Sequence, residues 1–160
     1  TLDINEDGLV TGIHPSPYMM QDQLREEALV DARRKQMDNK SSMIWVTFQK
    51  EGIHKYPQAA TDPKLKEVSF LGNEHRHMFH FKVQLEVFHD DRDVEFILFK
   101  RELEGLYDQG TMQADFKSCE MMAEDLYEYI KDHYPDRGCI IDVSEDGENG
   151  SHAVYEANKQ

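Results

Sequence analysis

Basic residues are scarce in this chain: 18 lysines and arginines stand against 32 aspartates and glutamates, a formal net charge of -14 at neutral pH. That balance argues against nucleic acid or an anionic membrane as the main partner, because the overall field repels phosphate. Cysteine is equally sparse. Cys119 and Cys139 form no CxxC pair, and two lone cysteines fit a reduced, cytoplasmic setting better than a bridged one. No apolar run approaches the ~18 residues of a membrane span, and no signal-peptide core opens the chain, so a soluble protein is expected. What is present, 39% hydrophobic and 31% charged residues over 160 positions, suits one globular domain with a real core.

Residues 1–42 differ from the rest and are read as an N-terminal extension. A polar, turn-rich run is followed by YMMQDQLREEALVDARRKQMDNKSS. Ser16-Pro17 has the character of a helix cap and first turn, and Met20, Leu24, Ala28 and Met37 form a thin apolar stripe. One amphipathic helix ending near Asn39 is expected. From residue 43 to 160 the pattern is that of an α+β domain. MIWVTFQ reads as a strand, 52–72 as mostly loop, and His75–Phe88 as a long alternating strand. After the turn HDDRD, a returning strand is expected from Val94 to Phe96, then a helix stopped by Gly110. A second helix is expected from about Cys119 to His133. CIIDVSE and HAVYE close the domain as two strands around the turn EDGENGS.

The histidines carry the first chemical signal. HRHMFHFKVQLEVFH places His75 and His77 two residues apart, so both imidazoles share one face of the strand with Phe79, Phe81, Val83, Leu85 and Val87. Polar groups at the end of an apolar face need a partner, either a metal or a polar pocket. His54 lies just past the first strand, and pairing of the two strands would bring it beside them. Three neutral imidazoles with an open fourth position form a catalytic zinc arrangement. His80 has the wrong parity for that face, and His89 falls in the far turn.

His54, HRHMFHFKVQLEVF, RDVEFILFKRELEGLY, SCEMMAEDLYEYI and IIDVSEDGENGSHAVYE, in that order, resemble the 6-pyruvoyl-tetrahydropterin synthase and 6-carboxytetrahydropterin synthase family. The matching motifs there are an upstream His, an HGHxY strand, a strand-to-helix turn, a PTxEN helix start and a VxVxET strand. The likeness spans residues 44–156 and implies a tunnelling fold: a four-stranded antiparallel sheet with two helices on one face, joined side by side into trimers and hexamers. It implies zinc on His54, His75 and His77, and Glu145 as the carboxylate that anchors a pterin ring, with Ser118 and Cys119 lining the same pocket. A carboxylate suits that task because a pterin edge offers two N–H donors. The activity implied is a zinc-dependent lyase acting on dihydroneopterin triphosphate or a related pterin, on a route to tetrahydropterin or deazaguanine products.

The chain also departs from that pattern. LKEVSFLGNEH has no cysteine ahead of the paired histidines, and DQGTMQADFKSC offers Asp115 followed by Phe116 where the family has an Asp–His pair. Asp115 and Cys119 are left as the acid–base candidates, since a helix N-terminus lowers a thiol pKa. An alternative reading is a catalytically degenerate relative that serves as an oligomeric ligand-binding or assembly module. DINEDG at 3–8 matches the start of a calcium loop, with His14 at the twelfth position, and equally reads as an Asx-rich turn.

Overall fold

The computed structural model describes residues 2–13, 17–38, 40–107 and 109–157. The chain opens with a short hairpin of β1 (Leu2–Ile4) and β2 (Val10–Ile13). DINEDG forms its tip: Asn5 Oδ1 accepts from Leu9 N–H at 2.7 Å, and Gly8 takes φ +78°. These are the features of an Asx-rich turn; His14 lies outside the described residues. Helix α1 follows from Pro17 to Asp38, close to the expected bounds, while Ser16 lies outside the described residues. Every described side chain from Met20 to Ala32 is exposed, Met20 and Leu24 included, while that of Met37 lies outside the described residues.

The main sheet has five strands, not the four expected, in the order β5-β3-β4-β6-β7. Strand β3 (Ser42–His54) pairs antiparallel with β4 (His75–Val87) along its whole length, from Ser42 opposite Val87 to His54 opposite His75. β4 pairs with β6 (Cys139–Glu145), and β6 with β7 (Asn149–Tyr155), both antiparallel. The fifth strand, β5 (Met112–Asp115), adds to the end of β3 in parallel, opposite Gly52, Ile53 and His54. Four residues are too few for a period-2 pattern to show, and a parallel pairing across some 60 residues leaves no local turn signal.

The expected returning strand at Val94–Phe96 is replaced by a helix start. Glu95 accepts from Ile97 N–H and Leu98 N–H, and this cap begins helix α2 (Phe96–Glu104) where a strand would have to continue. The helix ends at Glu104 rather than Gly110. Tyr107 then turns back to pack on Phe48 and Phe81, with ring centroids 5.8 and 5.2 Å away. The segment read as loop before β4 holds two 3-10 helices, Pro57–Ala60 and Pro63–Gly72. Helix α3 runs from Cys119 to His133, and Ser118 caps it by accepting from Met121 N–H.

One face of the sheet carries the core. Phe79, Phe81, Val83, Leu85 and Val87 of β4 alternate as expected and are buried beneath Phe99 and Leu103 of α2 and Met122, Leu126 and Ile130 of α3. Burying each phenylalanine contributes about 1.5–3 kcal/mol. This dry layer stops at Phe79. Beyond it, the same face of β4 shows His77 and then His75, so the apolar pattern itself positions the imidazoles at the sheet's end.

Candidate metal centre and cavity

The register sets the three imidazoles side by side. His54 faces His75 directly across the β3–β4 ladder, and Gly52 faces His77. Ring centroids lie 4.6 Å apart for His54 and His75, 5.3 Å for His54 and His77, and 5.0 Å for His75 and His77. One nitrogen from each ring lies within 4.8 Å of one from each of the others. Phe79 forms the floor, its ring edge-on to His54 and His77 at 5.1 and 5.8 Å. Gly52 makes room for that floor: a Cβ there would come within 2.7 Å of the Phe79 ring.

Each ring has one nitrogen committed to an acceptor. His54 Nδ1 donates to the Lys117 carbonyl at 2.9 Å, in the short segment between β5 and α3. His75 Nδ1 donates to the Asn73 carbonyl at 2.8 Å, and His77 Nδ1 to Asp146 Oδ2 at 2.6 Å. Because all three partners accept hydrogen bonds, all three Nδ1 atoms must carry the proton. In the neutral ring Nε2 then presents a lone pair, which is the tautomer a metal requires. The Nε2 atoms of His54 and His77 are buried and have no hydrogen-bond partner. A buried, unanswered polar atom is costly, so two at one spot are a strong indication that something binds there.

Glu145 closes the arrangement from β6, where it stands opposite Phe79 and so on the same face as the histidines. Its Oε1 lies 3.1 Å from His54 Nε2 and its Oε2 3.5 Å from His77 Nε2, without hydrogen-bond alignment to either. Lone pairs facing a carboxylate at that range are reconciled by a cation among them. The donor set is therefore chemically suited to zinc: imidazole nitrogens, acceptor-bound on their far side, with a carboxylate adjacent.

A cavity of about 610 Å³ opens beside the triad. His54, His75, Glu145, Ser118 and Cys119 line it and His77 does not, so two of the three metal candidates meet the substrate-binding candidates there. Asp115 is not among the lining residues. Its carboxylate is exposed, its φ is +49°, and its carbonyl accepts from Lys55 N–H at 2.8 Å. Cys119 is buried, and its thiol is pushed up to about 11, first by burial and then by Glu145 and Glu120. Burial thus outweighs the helix N-terminus that favours a thiolate.

Sequence reasoning missed several walls. Tyr56, Gln58 and Leu71 come from the 3-10 segment read as loop, and Phe116 and Met121 flank the α3 start. Asp146 was also missed as a partner of His77, because EDGEN reads as a turn. It is a turn as well: Asp146 and Gly147 take φ +55° and +73°, and Glu148 N–H donates to the Glu145 carbonyl. Asp146 Oδ1 also accepts from Met78 N–H at 2.9 Å. The hydrogen bond from His77, with that from Met78, holds its carboxyl below the ordinary range, against a smaller opposing effect of burial.

No protein-family model matches the chain, and no curated protein matches it. Among solved structures, it is similar to that of Caenorhabditis elegans 6-pyruvoyl tetrahydropterin synthase, with a TM-score of 0.56 at 14% identity over 73% of this chain and 97% of that one. The likeness is one of fold: a mixed α+β architecture of the pterin-synthase kind, here with a five-stranded sheet.

Proposed function

We propose that the chain is a zinc-binding enzyme of the pterin-synthase type, acting on a dihydropterin or similar planar heterocycle in the cavity beside His54, His75 and His77. One observation carries this reading: three acceptor-bound imidazoles each bring a nitrogen within 4.8 Å of the others, and the Nε2 atoms of His54 and His77 are buried without a hydrogen-bond partner. When bound there, zinc would supply a Lewis acid for a substrate oxygen. His54, His75 and His77 would hold it. Glu145 accepts the paired N–H groups of the heterocycle's edge, giving two charge-assisted bonds that fix its orientation. Ser118 accepts from Met121 N–H through its hydroxyl oxygen and helps to shape the cavity wall. The Cys119 thiol, kept protonated by burial, is placed to give a proton rather than take one. Side-by-side assembly into a trimer or hexamer would cover the free edge of β7.

The test is direct. Purified protein should carry about one zinc per chain by mass spectrometry, and His75→Ala should lose it. Dihydroneopterin triphosphate should then be turned over with release of triphosphate, and sedimentation should show a trimer or hexamer. No metal in protein prepared without chelators, and none taken up on dialysis against zinc, overturns the reading.

A second reading, a ligand-binding relative without turnover, draws on two observations. Burial raises the Cys119 thiol, and the Asp115 carboxylate lies outside the cavity lining. Saturable pterin binding with no triphosphate release would favour it.

A further inference from the structure

We infer that Asp146 is a positioning residue which fixes the tautomer of His77 and thereby aims its Nε2 lone pair at the triad. The inference rests on the metal reading above for its purpose, but its geometry stands independently. Of the three Nδ1 partners, two are backbone carbonyls, Lys117 and Asn73; only His77 relies on a side chain. That side chain is doubly tethered. Oδ2 meets His77 Nδ1 at 2.6 Å while Oδ1 meets Met78 N–H at 2.9 Å, so the carboxylate is pinned to β4 by a ladder-side amide before it addresses the ring. Its backbone is held as well, since Asp146 N–H donates to the Met78 carbonyl at 2.8 Å.

The turn explains why an aspartate fits there. Asp146-Gly147 occupies the two central positions of a turn that needs positive φ at both, which suits Asp or Asn followed by Gly. A residue chosen for the hairpin thus also delivers two acceptor oxygens to the neighbouring strand. Without Oδ2, nothing among the described contacts obliges His77 to keep its proton on Nδ1. Nε2–H is then open to the ring, and its proton would lie beside the Glu145 carboxylate, whose Oε2 is 3.5 Å from that nitrogen. That tautomer cannot bind a metal through Nε2. Outer partners of this kind change metal affinity by about 10–100-fold.

The experiment compares wild type with Asp146→Asn and Asp146→Gly, both compatible with positive φ, so the turn survives. Nitrogen-15 NMR of the metal-free proteins at about pH 9, where imidazoles are neutral, reads the His77 tautomer directly. The expected result is Nδ1–H in wild type, a mixture in Asp146→Asn (whose amide has one acceptor for two donors), and largely Nε2–H in Asp146→Gly. Zinc competition against a chelator should show affinity falling about 10–100-fold in Asp146→Gly and less in Asp146→Asn. A His77 that stays Nδ1–H in all three proteins overturns the inference, as does a tautomer shift with unchanged zinc affinity in a protein that binds zinc. If wild type binds no zinc at all, the metal reading falls, and the tautomer measurement still decides the role of Asp146.

Discussion

The two ends of strand β4 treat their polar groups in opposite ways. At the Val87 end the buried and half-buried polar groups answer one another. Arg137 donates to Asp93 at 2.7 Å and to the Glu86 carbonyl at 3.0 Å, and its guanidinium lies 4.1 Å from the centre of the Phe88 ring. Gly138 N–H reaches Glu86 Oε1, and Phe88 N–H reaches Asp93. At the His75 end three imidazoles are answered on one side only, leaving two buried nitrogens without a hydrogen-bond partner beside the Glu145 carboxylate. One end is a finished joint and the other an unfinished one. The contrast separates what holds the sheet together from what it holds ready.

The largest effect that would sharpen this contrast is zinc itself. At a thousand-fold excess over its Kd, the ion should raise unfolding stability by about 4 kcal/mol, read as a shifted urea midpoint. His54→Ala should abolish the shift. Next comes Asp93→Ala, which strands a mostly buried Arg137 and should cost about 3 kcal/mol while leaving zinc affinity unchanged. An equal loss of zinc binding would break the separation of the two ends.

Asp93 also fixes a pH dependence. Burial alone would raise its carboxyl, but the hydrogen bonds from Arg137 and Phe88 N–H, with the nearby Arg137 and His89 charges, outweigh that and hold it below its ordinary 3.8. Its folded value is the lower one, so its contribution is complete above the unfolded value and is lost as the pH falls through the folded one. Acid titration of Asp93→Ala should accordingly show a shallower loss of stability below about pH 4 than wild type. The smallest effect belongs to the open end. Metal-free His54→Leu should stay within about 1 kcal/mol of wild type, because removing an unanswered nitrogen offsets orphaning the Lys117 carbonyl.

The sheet and the triad were legible for one reason: a period of two is visible in the letters. Alternation from His75 to Val87 placed both histidines on the buried face, and pairing of adjacent strands delivered His54 opposite His75. Helix α3 was legible through Ser118 and its apolar spacing. What stayed hidden depended on distance or on competition. Strand β5 is four residues long and finds its partner some 60 residues back. Val94–Phe96 has strand-like residues, yet a glutamate at 95 caps the amides that a strand would leave for a neighbour. The Cys119 thiol sits where a helix start favours the anion, but burial decides the outcome. Asp146 looked complete as a turn residue, and its second task involves a ring 69 positions earlier.

Gly52 has a consequence of its own. It offers no chemistry, but the missing side chain is the space into which Phe79 leans, and Phe79 is the surface on which two imidazoles rest. A single methyl group added there would act as a wedge, driven in from the neighbouring strand and felt one layer up as a tilt of the rings. The arrangement of the imidazoles therefore depends on a position that supplies no ligand atom, through a ring that also belongs to the core.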